Sequence, residues 1–147
     1  MNDEWREYFL GLAKHAASKS KDPSTKVGCV IVDSDNDVRA TGYNGFPRGV
    51  VDAADRYADK DGKLLRMVHA EANAIASAAR SGKVLKGCTI ITTKFPCPAC
   101  SALIIQAGIT QVVAPPANDG TRWAQVNPVS LSMFREAGVA MVELAHA

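Results

Sequence analysis

No apolar run in this 147-residue chain reaches the length of a bilayer-spanning helix, about 20 residues. The opening residues, "MNDEWREYF", are acidic and aromatic rather than basic and then apolar, so no secretory leader is expected. Repeats, low-complexity tracts and linkers are also missing. A single domain over residues 1–147 is therefore expected, long enough to bury a core without staples. Charge of one sign is scarce: the net value is +2, and basic residues are scattered among acidic ones. That argues against polymeric nucleic acid or a membrane surface as partner, and leaves a small anionic ligand open. Cysteine is scarce too. Four thiols without an export signal read as reduced thiols or metal ligands rather than disulfides, with the cytoplasm as the expected compartment.

What is present begins with an amphipathic pattern over residues 3 to 19, where Trp5, Phe9, Leu12 and Ala16 recur at helical spacing. Asp22-Pro23 stops it. The β-branched run 27 to 32 and the segment 38 to 43 predict a hairpin turning at "DSDND". Residues 44 to 66 read as a long, functional loop with one short helix. From residue 69 the pattern alternates: helix 69 to 80, strand 88 to 93, helix 96 to 108, strand 110 to 115, helix 129 to 137, strand 139 to 144. Right-handed crossovers then predict an α/β fold, a mostly parallel sheet with helices on both faces.

The stretch "KFPCPAC", 94 to 100, poses the chemical question. Its C-x-x-C could be a redox pair, half of a zinc knuckle, or part of a catalytic metal site. A redox pair of the thioredoxin kind follows the first strand of its sheet, whereas this one follows at least three predicted strands. A knuckle needs a fourth ligand, and Cys29, Cys88, His15 and His146 are the remaining donors. Cys29 and Cys88 fall in or beside buried strands, where a free thiol behaves as a small hydrophobe. His15 suits a helix surface and His146 the chain's tail. A catalytic site fits better: His69 opens one helix, and Cys97 and Cys100 share one face at the start of another. A helix N-terminus favours the thiolate that zinc binds. Two cysteines and a histidine leave a tetrahedral position open, the mark of a catalytic zinc. Glu71, two residues beyond the histidine, is placed for general acid–base work. "HAE" at 69 to 71 with "PCPAC" at 96 to 100 resembles the H-x-E and P-C-x-x-C signature of zinc deaminases.

With those residues in hand, the chain resembles the deoxycytidylate (dCMP) deaminase family of the cytidine deaminase-like superfamily. The likeness runs through "SKDPSTKVGCVIV" (20 to 32), "GYNGFPRGV" (42 to 50), "HAEANAI" (69 to 75), "FPCPAC" (95 to 100) and "LIIQAGI" (103 to 109), in family order. It implies a three-layer α/β/α fold with a mixed five-stranded sheet, and Zn²⁺ on His69, Cys97 and Cys100. The implied reaction is hydrolytic deamination of dCMP to dUMP and ammonia by a zinc-activated water, supplying dUMP for thymidylate synthesis. Glu71 would protonate N3 and carry a second proton to the departing amine. Asn44 would bond the deoxyribose, and Lys21, Thr25 and Lys26 would cradle the 5′-phosphate. Taken singly, these four also suit a solvated loop with a cap and a turn before Gly45. Ala70, Phe95 and Pro96, beside the ligands, complete the expected substrate contacts.

The family is commonly hexameric, and many members are activated by dCTP and inhibited by dTTP. The resemblance places such effectors around Gly42, Tyr43, Gly45, Phe46, Arg48 and Asp52. One segment departs from the family: "PPANDGTRWAQVNP", 115 to 128, stands where an acidic, tyrosine-containing stretch is expected. Trp123 there could stack on a pyrimidine or simply pack. Alternative readings keep the zinc chemistry on another substrate (5-substituted dCMP, another cytosine nucleotide, a tRNA adenosine), or keep only a non-catalytic zinc module. The near-neutral charge disfavours tRNA, and Glu71 disfavours the module.

Overall fold

The computed structural model describes residues 1–144 of the chain. Helix α1 (Asp3–Ala17) starts at Asn2, whose side chain accepts the Trp5 amide, an N-cap bond that satisfies an otherwise orphaned donor. Strands β1 (Gly28–Val32) and β2 (Val38–Tyr43) follow as the expected antiparallel hairpin. Their turn is built by Asp33, whose Oδ1 accepts the amides of Asp35 and Asp37 while Asn36 takes a left-handed φ of 64°.

Between β2 and the next strand lie three helices: α2 (Ala54–Ala58), α3 (Lys60–Arg66) and α4 (Ala70–Ser81). The long loop expected over 44 to 66 is thus shorter, because two short helices rather than one fill its second half. Strand β3 (Thr89–Thr92), helix α5 (Pro98–Gln106), strand β4 (Gln111–Ala114), a 3₁₀ turn (Arg122–Gln125), helix α6 (Asn127–Ala137) and strand β5 (Ala140–Glu143) complete the described chain. Gly82 and Gly138 end α4 and α6 in left-handed conformations, as C-terminal glycines do.

The sheet order is β2-β1-β3-β4-β5. Strands β3, β4 and β5 run parallel, while β1 is antiparallel to both β2 and β3. The sheet is therefore mixed, half parallel by pairing rather than mostly so, because the hairpin adds two antiparallel edges to a parallel core. On one face Ile31, Ile90 and Val112 pack with Ala74 of α4, Ile104 of α5 and Phe134 of α6. On the other, Val30, Val32, Ile91 and Val113 pack beneath Phe9, Leu10 and Ala13 of α1. The layers are α/β/α.

The buried stripe of α1 is Phe9, Leu10, Ala13 and Ala17, whereas the periodicity points to Trp5, Leu12 and Ala16 alongside Phe9. Gly28 explains the rotation. A Cβ built on it would stand 2.0 Å from the Ala13 carbonyl, so the bare backbone of β1 draws the small-residue side of α1 down. Among the described residues no helix is long and apolar enough to cross a membrane.

Candidate active site and metal centre

Antiparallel pairing brings the start of β1, the end of β2 and the end of β3 to one edge of the sheet. Two helices begin there. His69 is the N-cap of α4 and Cys97 the N-cap of α5, each in extended backbone and neither making a side-chain cap bond. Both side chains are thereby free to turn toward each other. Pro98 at the first turn of α5 sets φ for helix entry and brings Cys100 onto the same face as Cys97. The His69 Nδ1 lies 3.4 Å from each sulfur. All three donor atoms fall within 4.8 Å of one another.

That spacing fits zinc. Bonds of about 2.3 Å to sulfur and about 2.0 Å to nitrogen, opened to the tetrahedral angle, separate the donors by about 3.5 Å. The donor set is two thiols and an imidazole, the soft and borderline ligands zinc takes, with a fourth position left for water or substrate. His69, Cys97 and Cys100 could together hold a zinc ion, whose charge two thiolates would balance. Cys29 and Cys88, both buried, stay outside it, as does His15, and His146 lies outside the described residues.

A hydrogen bond from the Cys100 thiol, seconded by His69, holds Cys97 well below the usual thiol range, and donating that bond, together with burial, pushes Cys100 far up. Bonding to Cys97 raises His69.

Glu71 is 4% exposed, at the second residue of α4. Burial raises its carboxyl, partly countered by its own backbone amide and by His69. Thr92 Oγ1 lies 3.1 Å from Glu71 Oε1 and 3.0 Å from the Lys94 carbonyl. A hydroxyl has one hydrogen, so it cannot serve both acceptors at once. A protonated Glu71 donating to Thr92 satisfies the chain of three; an ionised Glu71 accepts the Thr92 hydrogen bond instead. The carboxyl thus sits where either protonation state finds a partner.

Around this centre opens a cleft, partly open to solvent, with about 140 Å³ of room for bound atoms. Asn44, Thr25, Ala70 and Phe95 line it, four of the residues expected to touch substrate. Asn44 is buried and its amide bridges backbone: Nδ2 donates to the Thr25 carbonyl and Oδ1 accepts the Val27 amide. A second amide hydrogen and a second lone pair remain for a ligand. Pro96 does not line the cleft. Its carbonyl accepts the Ser101 and Ser130 hydroxyls, which fixes the ligand-bearing loop to α5 and α6. Lys21 ion-pairs with Asp52 at 2.9 Å, and neither it nor the exposed Lys26 lines the cleft.

The residues expected to meet effectors occupy the end of β2 and the loop after it. Gly42 abuts α4, where a Cβ would stand 2.2 Å from the Ala70 carbonyl. The Tyr43 carbonyl accepts from Asn73, and Gly45 bridges to Val68. Phe46 stacks on Tyr57, centroids 4.2 Å apart, and Asp52 bonds Lys21 and Tyr57 while Arg48 stands exposed.

Sequence reasoning passed over several groups. Asp22 and Lys63 form an ion pair at 3.2 Å inside the cleft, although Asp22 reads from sequence only as a helix stop. Thr92 sits within a strand pattern that conceals its role. Lys94 stands three residues before the first cysteine, and Arg122 adjoins the singled-out Trp123; both line the cleft. Trp123 meets His69 edge-on at 6.2 Å and so walls the site.

Comparison with known proteins agrees with this geometry. The family model for the cytidine and deoxycytidylate deaminase zinc-binding region matches residues 3–115. An uncharacterised deaminase from the luxG 3′ region of Aliivibrio fischeri is 43% identical over 98% of this chain and 96% of its own length. The deoxycytidylate deaminase of Homo sapiens is 43% identical over 75% of this chain, which spans 64% of that protein. The crystal structure of dCMP deaminase from the cyanophage S-TIM5, in complex with dCMP and dUMP, superposes with a TM-score of 0.81 at 26% identity, covering 98% of this chain and 99% of the other.

Proposed function

The chain belongs to the cytidine and deoxycytidylate deaminase family, and from that premise we propose that it hydrolyses dCMP to dUMP and ammonia in this cleft, supplying dUMP for thymidylate synthesis. One observation carries the reading: a buried carboxyl, Glu71, two residues from the histidine of a zinc site, both lining one cleft. His69, Cys97 and Cys100 hold the zinc, which when bound supplies the Lewis acidity that makes water a nucleophile near neutral pH.

The chain's own residues do the rest. Glu71 takes a proton from the attacking water and gives it to N3 of the cytosine. It takes the second proton and delivers it to the amino group leaving C4. Water and dCMP are consumed, ammonia and dUMP are formed, and the carboxylate is regenerated. Burial suits the task, because a carboxyl raised toward neutrality both accepts and returns a proton readily. Phe95, 3% exposed, and Trp123 border the base and exclude water from it. Asn44 offers its free amide hydrogen to the sugar, beside Ala70 and Thr25.

The same reading takes residues 1–147 as one domain, working as a hexamer in the cytoplasm, where ligand thiols stay reduced. It assigns dCTP and dTTP regulation to Gly42, Tyr43, Gly45, Phe46, Arg48 and Asp52. The Phe46–Tyr57 stack and the Tyr57–Asp52–Lys21 chain support that assignment by tying the loop to the segment beside the cleft.

The experiment is direct. Zinc-loaded protein is incubated with dCMP, 5-methyl-dCMP, cytidine, dCTP, adenosine and cytosine, and ammonia is followed. Release from dCMP above the others is expected; release from another substrate without dCMP turnover refutes the assignment. Repeating it with dCTP and dTTP, and weighing the protein by light scattering, tests regulation and assembly.

A further inference from the structure

Thr92 is the last residue of β3 and is fully buried, a polar side chain closing an apolar strand. Alternation along the strand places it on the face of Ile90, which packs with α4, whereas Ile91 packs beneath α1. Its hydroxyl needs no distant partner. Within its own turn, Oγ1 lies 3.4 Å from the Lys94 amide and 3.0 Å from the Lys94 carbonyl, one donor and one acceptor. The same oxygen nevertheless meets Glu71 Oε1 at 3.1 Å, across 21 residues of chain.

The contact matters more to Glu71 than to Thr92. The terminal torsion of a glutamate is broad and roughly two-fold, so a carboxyl held only by its stem swings. The Cys100 thiol also bonds this carboxyl. A cysteine that ligates zinc does so as the thiolate, however, and then has no proton to give. Thr92 is the side-chain hydroxyl that remains on Glu71, and it is itself locked to the Lys94 backbone at the end of a central strand.

We propose that Thr92 is a positioning residue for this reaction: its hydroxyl holds Glu71 Oε1, fixes the plane of the carboxyl and leaves Oε2 for the proton transfers. The inference rests on the reading of the cleft as a dCMP deaminase site and deepens it. The proton carrier is aimed before substrate arrives, because its anchor belongs to the sheet rather than to a loop.

Steady-state kinetics with dCMP test this in Thr92→Val, which keeps the shape and removes the hydroxyl, and in Thr92→Ser, which keeps the hydroxyl. Thr93→Val is the control, since the Thr93 hydroxyl accepts the Gly28 amide at 3.1 Å and so loses a neighbouring hydrogen bond instead. Thr92→Val is expected to lower kcat about 10-fold. KM and zinc content stay unchanged, because the carboxyl acts in the transition state rather than in binding. Thr92→Ser is expected to keep most of kcat, and Thr93→Val all of it. In a Glu71→Gln background Thr92→Val should cost nothing further, since the hydroxyl acts through the carboxyl. An unchanged kcat in Thr92→Val overturns the proposal. So does a loss matched by Thr92→Ser or Thr93→Val, or one accompanied by lost zinc, because each indicates a structural role.

A wild-type protein without dCMP turnover refutes the underlying reading instead. The anchor is then judged by NMR, as it is if Thr92→Val does not fold: the buried Thr92 hydroxyl proton of the otherwise native chain is expected to exchange slowly and to shift in Glu71→Gln. A hydroxyl signal indifferent to Glu71→Gln overturns the proposal.

Discussion

At the scale of single residues, the proposed function divides labour between three ligands and a proton carrier. Glu71→Gln keeps the shape of the side chain and removes its basicity. It should lower kcat by about 10²- to 10⁴-fold with zinc content, read by atomic absorption, unchanged. A variant that retains activity overturns the proton-carrying role. A second residue-scale outcome concerns Tyr57. Burial, then its hydrogen bond to Asp52, pushes its phenol up to about 12. The folded state therefore favours the neutral phenol. That stabilisation is complete below the ordinary tyrosine pKa of about 10 and is lost as pH rises toward the folded value. The Asp52 carboxyl is lowered, first by Lys21 and then by Tyr57, so its contribution is present above about pH 3.9 and lost on acidification. Thermal melts from pH 8 to 12 should show the alkaline loss, and Tyr57→Phe should flatten it; an unchanged profile rules the phenol out.

At the scale of elements, α4 matters most, because it carries both His69 and Glu71 and rests on β2 through a glycine. Gly42→Ala would drive a Cβ to 2.2 Å from the Ala70 carbonyl and 2.8 Å from the Ala74 amide. Overpacking of this kind costs about 1–3 kcal/mol. Gly28→Ala makes a comparable clash, 2.0 Å from the Ala13 carbonyl, but on α1 and the opposite face of the sheet. Both should lower Tm. Only Gly42→Ala, by displacing the N-terminus of α4, should also weaken zinc retention against a chelator. Equal zinc loss in both would show that the effect is general destabilisation.

At the scale of the whole molecule, zinc ties α4 to α5 across β3, so its removal should be felt as stability. Dialysis against a strong chelator is expected to lower Tm and to restore it on adding zinc, since a ligand bound only by the folded state stabilises that state. An unchanged Tm would limit the metal to chemistry. This architecture was largely legible beforehand, for reasons that differ by region. The β-branched runs 27 to 32 and 88 to 93 contain the largely buried strands β1 and β3 and could be little else. The histidine and cysteines stood out because helix starts are where such residues bear on chemistry. What stayed hidden was tertiary. The rotation of α1 depends on its close approach to Gly28 of β1, a contact between elements that the periodicity within the helix cannot announce. The second helix in 54 to 66 is too short for periodicity to show. Lys21 and Lys63 are indistinguishable as letters; only folding pairs one with Asp52 and the other with Asp22.

The division of the zinc ligands between α4 and α5 also sets an order of events in folding. His69 and Cys97 are 28 residues apart, and the strand between them occupies the centre of the sheet, flanked by β1 and β4. The three donors cannot converge until that strand has found its neighbours, and such non-local pairing is the slow part of assembling a sheet. Tight metal capture during refolding is thus a late event, a chemical timestamp on completion of the sheet. A chromogenic chelator present from the start of refolding would read it in real time.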